Sequence, residues 1–183
     1  MPFIVGEKLK MSQIWLDGKV TPVTLVKAAP MTVSAIKSKE KDGYVAVQVA
    51  SSDKKIKREF RNFNGDLKIG DNVSVANFSE GMMVKVQGIS KGKGFQGVVK
   101  RHGFSGGPKT HGQKNRYRMP GSIGSTAPQR VTPGRRMAGR MGGDKITIKN
   151  LKIVGIDKEN NILMIKGALP GKPGTILKIE SIS

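Results

Sequence analysis

Hydrophobic and polar positions alternate in several short runs at both ends of the chain. Val45, Val47 and Val49 alternate with small or polar residues in one run. The same period of two recurs later in the chain, at Val73–Val75, Met82–Val86 and Ile146–Ile148. Because a period of two places alternate side chains on the same face of a strand, these runs predict short β-strands.

Turn-forming residue pairs separate the predicted strands. The pairs are Asp17-Gly18, Asp42-Gly43, Asn64-Gly65 and Asn160-Asn161. Many short strands joined by such turns favour an all-β domain that is closed or nearly closed, since closure removes exposed strand edges. Helical periodicity is weak, and the sequence predicts at most one short helix, between Phe95 and His102.

A central stretch from Gly88 to Gly143 has a different character. It contains 14 of the 24 glycines and both histidines, and its apolar residues follow no regular period for long. Such a stretch cannot bury enough apolar surface to fold by itself, so we expect a partner to order it. The sequence therefore predicts a β-barrel domain formed by residues 1–87 and 144–183, and a long irregular basic insertion formed by residues 88–143.

Charge identifies the kind of partner that the insertion requires. The chain has 33 basic and 13 acidic residues among its 183, a formal net charge of +20. The insertion holds twelve of the basic residues and none of the acidic ones. So much positive charge requires a polyanionic partner, and nucleic acid fits better than an anionic membrane or a role in solubility alone.

Other features exclude several classes of protein. The chain has no cysteine, which excludes disulfides, thiolate zinc sites and cysteine nucleophiles. No run approaches 18 consecutive apolar residues, and the first residues lack a signal-peptide pattern. We therefore expect no membrane partner.

One glycine-rich motif, GKGFQG at Gly92–Gly97, fits the pattern of a dinucleotide-binding loop. That fold also needs a long following helix and an acidic residue about 20 positions later, and the next acidic residue here is Asp144. We therefore expect no nucleotide cofactor. Glycine also lets backbone approach phosphates closely, which suits a polyanionic partner.

The histidines of the insertion, His102 and His111, do not suggest a metal or a catalytic site. Zinc needs more ligands than two histidines supply, and no carboxylate in the insertion could orient either imidazole for catalysis. Contacts to bases, phosphates or 2′-hydroxyl groups are the favoured use of these side chains. We expect no metal, no small-molecule substrate and no enzyme activity.

Arginine and aromatic residues are interleaved in the rest of the insertion. Arginine suits bidentate phosphate contacts and stacking on bases. Phe95, Phe104 and Tyr117 are equally compatible with base stacking and with local packing. Outside the insertion, Trp15 is expected to pack in the core or at the edge of the barrel.

Three motifs in the insertion resemble the ribosomal protein L3 family in its bacterial form. They are SKGKGFQGVVKRHGF from Ser90, THGQKNRYRMPGSIG from Thr110, and PGRRMAGRMGG from Pro133. Four segments outside the insertion also resemble this family, so the resemblance covers nearly the whole chain. They are KMSQIW, PVTLVKAAP, DGYVAVQV and NILMIKGALPG. Segment 51–65 is shorter than in many members of the family.

The resemblance implies a specific fold, function and set of partners. The fold would be a small closed six-stranded barrel of the translation-factor type, with an extension that runs towards the peptidyl transferase centre. The protein would be a structural component of the cytoplasmic large ribosomal subunit, would bind large-subunit rRNA near its 3′ end early in assembly, and would contact ribosomal proteins L14 and L19. The rRNA contacts would fall on Lys91, Lys93, Lys100, Arg101, His111, Arg116, Arg118, Arg135, Arg136 and Arg140.

Two rival functions remain compatible with the residues alone. A sequence-tolerant single-strand binder would place aromatic side chains on its barrel strands, whereas the strands here are aliphatic. An enzyme on the same barrel would need carboxylates or histidines gathered in a pocket.

Overall fold

The computed structural model describes residues 2–16, 18–52, 55–61 and 67–182. Asp17 and the predicted turn at Asn64-Gly65 lie outside these residues. The described strands are β1 (Phe3–Leu16), β2 (Lys19–Lys27), β3 (Met31–Lys37), β4 (Ala46–Ser51), β5 (Lys57–Arg61), β6 (Asn72–Val73), β7 (Met83–Ile89), β8 (Gly94–Gln96), β9 (Gly139–Met141), β10 (Lys145–Asp157), β11 (Ile162–Lys166) and β12 (Ile176–Ser181). The described helices are α1 (Lys39–Asp42), α2 (Val98–His102) and a 3-10 turn at Val75–Asn77.

The all-β class predicted from the sequence is confirmed. The predicted helix appears as α2, which is shorter than the range proposed, and α1 was not predicted. No helix in the described part of the chain is long and apolar enough to span a membrane. The chain divides into two compact units: a β unit (Met1–Ser90 and Lys145–Ser183) and an insertion unit (Lys91–Asp144).

Six strands of the β unit pair in a continuous cycle. The order is β1, β12, β7, β10, β11, β2 and back to β1, with every pair antiparallel. Strands from both ends of the chain therefore depend on each other for their hydrogen bonds. Alternate residues of these strands point inward, as the period of two predicts, and form one apolar core. Its fully buried members include Ile4, Val26, Val84, Ile153 and Leu177.

Local irregularities bend the strands of this cycle. Pairing shifts register in β1 between Lys8 and Met11, and in β10 between Ile148 and Leu151. The second shift contains Asn150, whose φ of 58° is left-handed. Such bulges increase twist and bend a strand, which lets neighbouring strands curve around a common core.

The loop between β11 and β12 is fastened to β1 through Lys8. The buried Lys8 ammonium donates hydrogen bonds to the carbonyls of Leu169 (2.7 Å) and Gly171 (2.9 Å). The backbone N–H of Lys8 also donates to Thr175 O (3.0 Å), and the N–H of Gly174 donates to Lys8 O (2.8 Å). A single residue therefore holds both the start and the end of the loop.

The remaining strands of the β unit correct one prediction. Sequence reasoning placed all the flanking strands in the barrel, but β3, β4, β5 and β6 form a separate four-stranded sheet in the order β5-β4-β3-β6. Val47, Val49, Phe60 and Val73 are buried in a second core, which also contains Phe3 and Val5 of β1. Alternation reports which face of a strand is buried, but not which neighbouring strand it pairs with.

Candidate nucleic-acid interface

The insertion unit begins and ends in a two-stranded ribbon. β8 pairs with β9, so that Gly94 faces Met141 and Gln96 faces Gly139, and Lys93 N donates to Met141 O (2.9 Å). Gly142 follows β9 with a φ of 78°, and a Cβ there would lie 2.1 Å from Lys91 O. Only glycine allows the two chain ends to run this close together.

Helix α2 is held to the segment just before β9 through one carbonyl. Arg101 Nη1 donates to Met137 O at 2.8 Å, and His102 Nε2 lies 3.1 Å from the same oxygen. A Cβ on Gly139 would lie 2.6 Å from Arg101 Nη1, so the guanidinium also packs against that glycine. Arg101 therefore holds α2 against Met137 and Gly139, a role that the sequence did not predict.

Residues 103–138 contain no strand or helix, as the sequence predicts, and only turns organise them. Gly107 N donates to Tyr117 O (3.0 Å), and Arg135 donates to the carbonyl of Ser122. Phe104, Arg116 and Met119 line an open groove between these turns. Val98 is the only buried residue of the unit, all of which is described. The unit therefore has almost no apolar core to hold it, and its ordering by a partner stays a prediction.

Every residue proposed for rRNA contact lies exposed on this unit. The exposed set is Lys91, Lys93, Lys100, Arg101, His111, Arg116, Arg118, Arg135, Arg136 and Arg140. No acidic residue occurs between Gly88 and Gly143, so none of these cations can pair with a carboxylate from that stretch. The ion pairs of Lys37 with Glu59 and of Lys85 and Lys178 with Glu180 lie in the β unit. A surface of one sign of charge attracts a polyanion over a long range.

The aromatic residues of the unit divide into two groups. Phe104 lies 6.0 Å from the His102 ring, while Tyr117 lies beneath Lys109 (5.6 Å) and Arg118 (5.5 Å). These two aromatics therefore pack locally. Phe95, by contrast, is 77% exposed on β8, beside Arg140 on β9. It is the aromatic of this unit best placed to stack on a base.

The structure places no candidate metal-binding cluster in the part of the chain it describes. No group of three or more His, Asp or Glu side chains in those residues is placed to hold a metal ion. His111 is exposed on a turn with a φ of 58°, and His102 contacts Met137 O. The GKGFQG motif leads into the five-residue α2, whereas a dinucleotide site uses a long helix.

Comparison with known proteins identifies the family of this chain. Residues 61–161 match the family model described as Ribosomal protein L3. The large ribosomal subunit protein uL3 of Dehalococcoides mccartyi strain 195 is 45% identical, over 97% of this chain and 96% of the relative. The chain belongs to the ribosomal protein L3 family. The L3 family consists of structural rather than catalytic proteins of the ribosome.

Other relatives give the same result. The uL3 proteins of Prochlorococcus marinus strain NATL1A and Nostoc punctiforme are each 44% identical, over 97% and 96% of this chain. The resemblance found in the sequence motifs is therefore confirmed. A member of the L3 family is an rRNA-binding component of a ribonucleoprotein in translation, and its place is the cytoplasmic ribosome.

Proposed function

We propose that the chain is a structural constituent of the large ribosomal subunit that binds rRNA mainly through its insertion unit. The observation that carries this proposal is the exposure of every candidate cation on a unit with almost no core and no carboxylate between residues 88 and 143. Folding such a unit brings like charges together, which is favourable only when an anion such as rRNA neutralises them.

The proposed rRNA contacts are those of the exposed set, and they have different roles. Arg136 and Arg140 are free to make bidentate phosphate contacts. Arg101 and Arg135 also hold backbone carbonyls of the unit, so they would shape the surface as well as contact rRNA. Phe95 would add a stacking contact beside Arg140.

The family resemblance supports a proposal for the position of the protein within the subunit. The cycle of six strands would be the translation-factor-type barrel, with ribosomal proteins L14 and L19 as neighbours. The insertion unit would be the extension that runs towards the peptidyl transferase centre, and the protein would bind near the 3′ end of the large rRNA early in assembly. No enzymatic step is part of this role.

Two measurements test the proposal. The tagged protein should co-sediment with large subunits through a high-salt wash, since contacts buried within rRNA exchange slowly. Crosslinking should then place residues 91–140 on large-subunit rRNA near its 3′ end. Release by the wash, or equal binding to any single-stranded RNA, would favour the sequence-tolerant binder instead.

A further inference from the structure

The hairpin formed by β1 and β2 carries an exposed apolar surface on one face. Trp15 pairs with Val20 and Gln13 pairs with Pro22, so these four side chains share that face with Met11. All five residues are exposed, and Trp15 is 72% exposed. We call these five residues the hairpin strip. The expectation that Trp15 packs in the core or at the barrel edge is therefore wrong.

The opposite face of the hairpin is turned towards the protein. Ile14 pairs with Thr21, and Ser12 pairs with Val23. Thr21 and Val23 are buried, and Ile14 is partly buried. The base of the hairpin is fixed as well, because the hydroxyl of Thr24 donates to Gly167 O at 2.6 Å. The strip is thus presented to solvent by a supported two-stranded ribbon.

The charges around the strip favour RNA as its partner. Between residues 8 and 27 the sequence has four lysines and one acidic residue, Asp17. Lys10 and Lys19 precede Met11 and Val20 in sequence and are both exposed. Lys19 pairs with the exposed Leu16, so it lies at the uncovered end of the hairpin, on the other face from Trp15. Protein interfaces tend to exclude lysine, whereas single-stranded nucleic acid sites combine an aromatic platform with cations along the backbone. Gln13, in the middle of the strip, offers an amide to a base edge.

We propose that the hairpin strip is a second rRNA contact, in which an unpaired base stacks on Trp15 while Lys10 and Lys19 meet the flanking phosphates. This inference rests on the proposed rRNA-binding function but concerns the β unit rather than the insertion unit. On the β unit it adds a stacking contact to an unpaired nucleotide, besides the phosphate contacts and the Phe95 contact proposed for the insertion unit.

The chain provides its own probe, because Trp15 is its only tryptophan. In the free full-length protein, its fluorescence should be that of an exposed indole and should be quenched readily by acrylamide. Addition of deproteinised large-subunit rRNA should quench the emission by stacking and protect Trp15 from acrylamide. Unchanged emission and accessibility in the fully bound protein would overturn the proposal.

Affinity measurements separate stacking from charge. Trp15→Ala should weaken rRNA binding roughly 5- to 150-fold, the range that alanine substitution of a base-stacking aromatic gives. Its salt dependence should stay unchanged, whereas Lys10→Gln and Lys19→Gln should each reduce the log–log salt slope by about 0.7–0.9. Ile69→Ala is the matched control, because Ile69 is also an apolar residue of the β unit and is 69% exposed. It should bind as the natural chain does.

Two results would contradict the proposal in different ways. If Trp15→Ala binds rRNA as tightly as the natural chain, while deletion of the insertion causes a large loss of affinity, the strip is not an rRNA contact but the proposed function stands. A blue shift of Trp15 emission that requires added large-subunit proteins, with no response to rRNA alone, would make the strip a protein-binding surface.

Discussion

Replacing Lys8 by methionine should lower the free energy of unfolding of the β unit by about 2–4 kcal/mol. The methionine side chain has a similar length but cannot donate the two hydrogen bonds to Leu169 O and Gly171 O. Both acceptors belong to buried residues, so water cannot easily replace the ammonium.

The magnitude follows from two opposing effects. A hydrogen bond from a charged donor contributes about 1.5–3 kcal/mol, which gives about 3–6 kcal/mol for two. Removing a buried ammonium also relieves a desolvation penalty, which reduces the expected loss. The backbone hydrogen bonds of Lys8 with Gly174 and Thr175 remain available, so the loop should loosen rather than detach.

Urea denaturation followed by circular dichroism measures this loss. Lys10→Met is the matched control, because Lys10 lies on the same strand but is exposed, and it should stay within about 0.5 kcal/mol of the natural chain. If Lys8→Met were as stable as Lys10→Met, the loop would not depend on the Lys8 ammonium.

Three further predictions concern other parts of the molecule. Val47→Asp should destabilise the four-stranded sheet by more than about 3 kcal/mol because it buries an unpaired carboxylate, whereas Val45→Asp, at a position 52% exposed, should leave the thermal melt nearly unchanged. Burial acts to raise the pKa of Glu180, but hydrogen bonds from Lys85 and Lys178 outweigh it and hold this pKa below its usual range. The ionised Glu180 carboxylate therefore stabilises the fold above its unfolded-state pKa, and this contribution is lost as the pH falls through the folded-state pKa. In urea titrations at acid pH, the free energy of unfolding of Glu180→Gln should fall less steeply with pH than that of the natural chain. Arg136→Ala should leave thermal melting unchanged and reduce the salt slope of rRNA binding by about 0.7–0.9 in filter-binding assays, and an unchanged slope would place Arg136 in solvent.

Several local features could be predicted because their causes lie in neighbouring residues. Alternation in Met82–Val86 predicts the inward-facing Val84 and Val86 of β7, since a strand buried on one face imposes that period. Asn160-Asn161 predicts the turn between β10 and β11, where Asn161 has a φ of 55°. The absence of acidic residues likewise predicted an exposed cationic surface from composition alone.

Other features depend on contacts between distant residues, and no local pattern reports them. Lys8 reads as one more surface lysine, yet its partners lie more than 160 residues away in the chain. Arg101 reads as a phosphate ligand, and its contact with Met137 O appears only when α2 is placed beside that segment. Trp15 was predicted to pack in the core or at the barrel edge, but the β1–β2 pairing leaves its face of the hairpin uncovered.

Salt-dependent binding of rRNA by the full chain and by a deletion of residues 92–142 shows whether the insertion unit is the main rRNA-binding surface. The deletion removes no strand of the six-strand cycle and eleven of the twelve basic residues between 88 and 143. If about eight of those cations contact phosphates, the full chain should show a log–log salt slope of about −6 to −7. The deletion should keep its β circular dichroism and melting transition, but bind orders of magnitude more weakly at physiological salt, with a much shallower slope. Equal affinity and slope for both proteins would contradict the claim that the insertion unit is the main rRNA-binding surface.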